Sequence, residues 1–439
     1  MTTIGVRGGT VLAPDGPERS DVFVTSGRIV GVVPGVDTTG TGHGGPDGRS
    51  EDGTLGAGAE RSVVGAPVRD DAGPAVGGRP PAAGGAPGPA QPPAVDAWLD
   101  ASGLVVAPGF VDLQCNGAVG VDLTSEPERL DEVAAALPRW GVTAWLPTIV
   151  TATPGTRRRA LAALAAHDDP AAATPLGLHF EGPFLAPERR GAHDPAHLVA
   201  PSPALVDDEG WSAGAGVALV TLAPELPGAL DVVRALVDRG VVVSAGHSSA
   251  TAAETRTAVE AGVTWVTHLF NAMAGLHHRE PGLAGAAMAD DRLRVGLIAD
   301  GLHVDPAVVR IAAAALGDRL TLVTDAVAAL GVPPGRRRVA SLDVTVSATD
   351  GGVRLPDGTL AGSTLALDRA VRNLMAFAGI DLAVAVRAVT ASPAAVLGRT
   401  DRGVVAPGAV GDLVVLTPAG EVVATVIGGR VVHDTRRTA

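Results

Sequence analysis

Apolar and polar positions follow two rhythms along this chain, and the change from one to the other divides it. Short, nearly continuous apolar runs recur at 105–113, 144–150, 176–180, 217–222, 241–245, 264–268, 294–299 and 320–324. Runs of this length without internal alternation fit strands covered on both faces, as in a parallel sheet. Ala-rich amphipathic stretches such as 131–139, 229–238 and 307–316 fall between them, and strands alternating with helices make βα units. Eight such strands predict an α/β fold, a TIM-like (β/α)8 barrel over 105–395.

Outside that stretch the pattern changes. Residues 2–6, 22–25 and 28–33 are short β-rich runs set off by Gly and Asp, and 403–432 returns to the same texture. The two chain ends, 1–35 and 396–439, with a return strand in 94–104, are expected to combine into one small β-sandwich domain. Between them, 36–93 reads GTGHGGPDGRSEDG and then GGRPPAAGGAPGPAQPP, too rich in Gly and Pro to bury a core that offsets its ordering entropy. It is expected to be a disordered insertion, with His43 solvated inside it.

Composition then narrows the chemistry. A net charge of −13 repels a phosphate backbone, so nucleic acid is not expected as a partner. The chain has no lysine, which removes Schiff-base catalysis, Walker A loops and carboxylated-lysine metal bridges. Cys115 is the single cysteine, so any metal must be held by His and carboxylate. The N-terminus carries no basic stretch followed by an apolar run, and no apolar stretch approaches the roughly 18 residues that a membrane-crossing helix needs. A cytoplasmic protein without membrane contact is therefore expected.

Polar and ionisable residues stand directly after the apolar runs, where a barrel gathers its βα loops into one site. In order they are Gln114 and Asn116, then Glu181, Glu225, His247, His268, Asp300 with His303, and Asp325. Singly, each reads equally well as an ordinary loop, capping or hydrogen-bonded residue. Their coincidence at one end of the barrel points instead to a site. Glu181, His247 and His268 supply one oxygen and two nitrogens, the ligand set of a catalytic zinc site with a position left open for water. One divalent ion per chain is expected, Zn2+ first, with Fe2+ or Mn2+ also suited to these donors. Asp325, ending the eighth run, faces them across the mouth. It either caps or supports its neighbours or acts as general base, taking a proton from the attacking water and handing it to a leaving amine.

With these residues in view, the sequence resembles the N-acetylglucosamine-6-phosphate deacetylases, a branch of the amidohydrolase superfamily. The likeness runs through PGFVDLQCNG (108–117), HFEGPFL (179–185), RGAH (190–193), AGHSSAT (245–251), THLFNAM (267–273), HHREPG (277–282), ADGLHV (299–304), VTDA (323–326) and LAGSTLALDRAVRN (360–373). The resemblance implies Glu181, His247 and His268 as metal ligands and Asp325 as catalytic acid and base. It also implies substrate contacts at Ala192, His193, Asn271, Ala272, Arg279, Asp300, Gly301, Leu302, His303, Leu360, Ala361 and Gly362. Arg279 and His303 would hold the phosphate of a phosphorylated amino sugar, and His193 would orient or polarise its acetyl carbonyl. A homodimer is implied as well, in which Arg279 can reach the neighbouring site. His277 and His278 gain no role.

Many amidohydrolases carry His-x-His after the first strand and bind a second metal there, whereas this chain has Gln114, Cys115 and Asn116, as single-metal members do. Two other readings stay in play. One is an amidohydrolase of different specificity, such as a deacetylase for the N-acetylgalactosamine 6-phosphate epimer or another amidase; the other is a catalytically silent barrel serving as a scaffold.

Overall fold

The computed structural model describes residues 2–35 and 93–437. The Gly/Pro-rich insertion and His43 lie outside the described residues. Eight parallel strands form the barrel: β1 (Phe110–Cys115), β2 (Val142–Val150), β3 (Leu178–Glu181), β4 (Val217–Leu222), β5 (Val242–Ala245), β6 (Val263–Val266), β7 (Arg294–Leu297) and β8 (Leu320–Leu322). Each pairs with the next from β1 through to β8. Every residue of β1, β3 and β8 is buried, the burial that near-continuous apolar runs require. Phe110, Leu113, Trp145, Phe180 and Trp265 are among the fully buried side chains of the resulting core.

The ladder does not run on from β8 back to β1. At the upper end of that seam Cys115 bridges Ala326, Asp325 N–H donates to Gln114 O at 2.9 Å, and Asn116 N–H donates to Ala326 O at 2.7 Å. At its foot, Ala388 O accepts from Leu322 N–H at 2.8 Å and Val389 O from Val111 N–H at 2.7 Å. Backbone groups that would otherwise be orphaned in the interior are thus satisfied by a segment from much later in the chain.

The run read as one strand at 105–113 is divided. Val105–Pro108 belongs to the small sheet, and β1 begins only at Phe110. The crossing needs Gly109, because a Cβ there would sit 2.1 Å from Thr143 Oγ1. The small β-domain expected from both chain ends is present as one continuous sheet. Its eight strands are Thr3–Ala13, Gly16–Thr25, Arg28–Pro34, Ala97–Asp100, Val105–Pro108, Leu413–Leu416, Val422–Ile427 and Arg430–Asp434. It has its own core, including Val6, Val22, Val24, Leu99, Val415 and Val426. A third sheet went unread in the sequence: Gly335–Val339, Leu342–Val346 and Val353–Arg354 form an antiparallel insert after β8. Its Val339, Val344, Val346 and Val353 pack with Val327, Ala329 and Ala361 beside the barrel mouth. Among the described residues no helix is long and apolar enough to cross a membrane.

One buried charge is structural. Arg157, 3% exposed, donates through Nε to Glu209 Oε2 at 2.7 Å and lies over the Trp211 ring at 5.4 Å. Taking one partner from a buried pair leaves the other unpaired in a poor solvent. Glu209→Gln is expected to lower the unfolding free energy by about 2 kcal/mol without changing turnover. Urea titration beside a kcat measurement checks this; an unmoved midpoint would mean that Arg157 keeps its solvation another way.

Candidate active site

The chain turns sharply as it leaves the carboxyl ends of β3, β5, β6 and β8. After β3, Gly182 adopts φ +89°, and a Cβ there would meet Thr151 Oγ1 at 2.2 Å. His247, His268 and Asp325 follow their strands with φ of +50°, +31° and +47°. Non-glycine residues avoid this region, so each position stores strain of order 1–3 kcal/mol that its surroundings must hold in place. Backbone hydrogen bonds flank each one: Ser248 N–H to Ala272 O at 3.1 Å, Leu269 N–H to Gly296 O at 2.8 Å, and Ser363 N–H to Asp325 O at 2.8 Å. The strained turns aim the three side chains into the barrel mouth.

There they converge with Glu181. Glu181 Oε1 lies 3.1 Å from His247 Nε2 and 3.0 Å from His268 Nε2, and the two imidazole nitrogens are 3.0 Å apart. His247 Nδ1 sits 2.8 Å from the Arg189 carbonyl oxygen, which can only accept. That contact puts the proton on Nδ1 and leaves Nε2 with a free lone pair, the usual way a protein orients a metal-binding imidazole. Burial alone would push the Glu181 carboxyl up, but its close approach to His247 and His268 outweighs it and holds the group well below the usual carboxylate range. His268 is lowered by burial and raised more by Glu181, ending above its ordinary value. Three buried donor atoms meeting at one point fit a divalent cation.

A second trio is also close: Glu181, His193 and His247 offer ligand atoms all within 4.8 Å of one another. Hydrogen bonding separates the two trios. Thr151 meets His193 Nδ1 with both its N–H at 3.3 Å and its Oγ1 at 2.9 Å. With Nδ1 accepting from them, the neutral ring carries its proton on Nε2, which stands 3.8 Å from Glu181 Oε2, farther than either imidazole of the first trio stands from Glu181 Oε1. Burial, reinforced by His247, pushes His193 down to about 3 and keeps it neutral.

Asp325 completes the group. Its Oδ1 accepts from Asn116 Nδ2 at 2.7 Å and from Gln114 Nε2 at 3.1 Å, and Gln114 Nε2 also reaches Glu181 Oε1 at 2.9 Å. The amides of Gln114 and Asn116 therefore serve as donors to two carboxylates. Burial, followed by the charge of Glu181, pushes Asp325 up to about 6. Glu225 faces elsewhere: it accepts from Ser248 Oγ at 2.7 Å and from Ser249 N–H at 2.5 Å, bracing the turn after His247.

These groups form the floor of a cavity of about 330 Å³ whose walls include Ala192, His193, Asn271, Ala272, His303 and Leu360 to Gly362. Asp300 and Leu302 line an adjoining space of about 250 Å³, where Asp300 Oδ2 holds His303 Nδ1 at 2.7 Å and leaves Nε2 for the main cavity. Gly301, at φ +79°, makes the turn between them. Arg279 is not in the wall; it sits on an exposed turn with Nη1 3.0 Å from His278 Nε2. Several wall residues are not legible in the sequence, among them Arg189, Thr359 and Val339. The Arg-Arg pair just before GAH was the available signal for Arg189, whose Nε donates to Ser249 Oγ at 3.0 Å.

Comparison with known proteins matches the chain to one group. The amidohydrolase family profile covers residues 105–432, and the chain belongs to that family. Its relatives include the N-acetylglucosamine-6-phosphate deacetylase of Homo sapiens, 40% identical over 353 residues, 77% of this chain and 85% of the relative. They also include the N-acetylgalactosamine-6-phosphate deacetylase of Escherichia coli O157:H7, 39% identical over 298 residues, 67% of this chain and 78% of the relative. Among solved structures, a mutant N-acetyl-D-glucosamine-6-phosphate deacetylase of Mycobacterium smegmatis in complex with N-acetyl-D-glucosamine-6-phosphate is similar, with a TM-score of 0.79 and 32% identity over 98% of this chain and 100% of that one. The resemblance read from the motifs is borne out, and the chain is a hydrolase of the amidohydrolase type.

Proposed function

We propose that this chain is a cytoplasmic enzyme that hydrolyses the acetamide of N-acetylglucosamine 6-phosphate to glucosamine 6-phosphate and acetate. The observation that carries the reading is the convergence of Glu181, His247 and His268 within 3.1 Å, opposite Asp325, on the floor of a cavity of sugar size. Glu181, His247 Nε2 and His268 Nε2 would hold one divalent ion, Zn2+ first, and that ion would supply Lewis acidity to the attacking water and the amide carbonyl. Asp325 takes a proton from the water as its oxygen adds to the carbonyl carbon, then returns it to the sugar nitrogen as the C–N bond breaks and acetate forms. Asn116 and Gln114 hold that carboxylate in place. His193 presents its Nε2–H to the acetyl oxygen, and its low basicity keeps it a neutral donor throughout. His303, held from behind by Asp300 at 2.7 Å, turns Nε2 toward the anionic end of the substrate.

The relative that acts on the galactosamine epimer keeps a second reading in view, and the two sugars differ by one hydroxyl. Acetate release from both phosphosugars and from unphosphorylated N-acetylglucosamine, with and without chelator, tests the proposal. The expected result is fastest release from the glucosamine phosphosugar, lost on chelation and restored by Zn2+. Preference for the epimer, or chelator-resistant turnover, would overturn it.

Arg279 enters the proposal through a homodimer, in which its exposed turn delivers a cation to the neighbouring cavity. Arg279→Ala is then expected to weaken kcat/KM for the phosphosugar by about 2 kcal/mol, roughly 30-fold, with little change on the unphosphorylated sugar. Mixing Arg279→Ala with inactive Asp325→Asn protein should restore activity if the residue acts across subunits. Equal losses on both sugars would make Arg279 structural.

A further inference from the structure

Asp112 is a carboxylate that the reaction does not use. It is fully buried in the middle of β1, the strand that borders the open seam of the barrel. Its side chain crosses that seam. Oδ2 accepts from Thr324 Oγ1 at 2.6 Å, while Oδ1 accepts from Thr324 N–H at 3.3 Å and from Gln114 N–H at 3.2 Å. Thr324 Oγ1 also lies 3.1 Å from Gln114 O and accepts from Ala326 N–H at 3.1 Å. One carboxylate therefore fixes the backbone on both sides of the seam, immediately before Asp325 and at Gln114, the two residues whose side chains meet at 3.1 Å in the site. Only a few backbone bonds cross here, among them Asp325 N–H to Gln114 O at 2.9 Å and Asn116 N–H to Ala326 O at 2.7 Å. No continuous ladder joins β8 to β1, and the left-handed backbone at Asp325 gives it a tendency to relax. An apolar residue in this position would fill the space but leave the two strand ends without a common acceptor.

We infer that Asp112 is a positioning residue for Asp325: by clasping Thr324 and Gln114 across the seam, it sets where the Asp325 carboxylate stands relative to the Glu181, His247 and His268 cluster. The inference rests on the reading of Asp325 as the proton-transfer group. The clasp acts on the β8 end and on Gln114, whose Nε2 also reaches Glu181 Oε1 at 2.9 Å, but it makes no contact with His247 or His268, so its loss should weigh far more on turnover than on metal binding. Misplacing a reacting group by about 1 Å can cost up to roughly 100-fold in rate.

The test uses Asp112→Leu, which keeps bulk without acceptors, and Thr324→Val, which removes the hydroxyl that donates to Asp112 and accepts from Ala326 N–H, with Thr324→Ser as the conservative rescue. Each is assayed for kcat and KM on N-acetylglucosamine 6-phosphate, for metal content and for thermal midpoint. The expected result for Thr324→Val and Asp112→Leu is a fall in kcat of roughly tenfold or more, with KM and metal content nearly unchanged and Thr324→Ser close to the parent. Adding Thr324→Val to Asp325→Asn should cost little more than Asp325→Asn alone, because both act through one group. A lower midpoint with kcat unchanged, the behaviour expected of Glu209→Gln, would overturn the inference, as would loss of metal from Thr324→Val. Should Asp112→Leu fail to fold, Thr324→Val and its serine rescue decide the matter. The two readings can fail separately. Full turnover in Asp325→Asn would remove the premise, whereas inactive Asp325→Asn beside fully active Thr324→Val would remove the clasp alone.

Discussion

His247→Ala is expected to yield a folded protein with neither bound divalent metal nor measurable acetate release. The imidazole supplies one of three donor atoms that lie within 3.1 Å of one another, and its Nδ1 contact with the Arg189 carbonyl fixes which nitrogen is free to bind. Removing even an outer hydrogen-bond partner of such a ligand typically costs about 10- to 100-fold in metal affinity, so losing the ligand should cost at least roughly 100-fold. The deletion also strips Glu181 of one of the two imidazoles that hold it ionised in a buried place. Elemental analysis after dialysis, paired with the acetate assay, reads the outcome. His193→Ala is the informative companion: on tautomer grounds it should keep about one metal per chain while losing turnover. Metal retained by His247→Ala and lost from His193→Ala would transfer the ligand role to the other trio.

Asp325→Asn should reduce turnover by roughly 10²- to 10⁴-fold, the span that a well-placed proton-transfer group contributes. The amide keeps an oxygen to accept from Asn116 Nδ2 and nearly the same volume on the cavity floor, so metal and substrate should still bind. What it cannot do is take a proton at neutral pH. The loss should therefore fall on kcat, with KM close to the parent value. Near-normal turnover would move the proton transfer to another group, with His193 the first to examine.

Much of this arrangement is legible in the sequence, for physical reasons that also mark where legibility stops. Strands buried on both faces must be apolar throughout, so the barrel announced itself as eight runs, and side chains of unlike chemistry could stand only at their ends. That is why Glu181, His247, His268 and Asp325 could be gathered from spacing alone. The same rule merged 105–108 with β1, since Pro108 and Gly109 make too short a break to register against an apolar background. The insert at 335–354 escaped because its strands read GRRRV and LDVTV, with exposed charged positions and little continuous apolar signal. Arg189 escaped because an arginine in a loop reads as solvated, and the Arg-Arg pair before GAH is too weak a signal by itself to place the loop in the cavity wall. The placement of Arg279 on an exposed turn depends on chain geometry that a motif does not encode.

The chain is made from one end, and that gives the late closures a cost during synthesis. The strand at 105–108 finds its antiparallel partner only in 413–416, and the foot of the barrel seam waits for the carbonyls of Ala388 and Val389. A ribosome exposes the earlier residues long before it delivers these. Throughout that interval the nascent protein carries an unpaired apolar strand edge and a barrel that cannot shut, the kind of surface that pairs with whatever is nearby. Closure of the small sheet and of the barrel foot therefore waits on segments far along the chain.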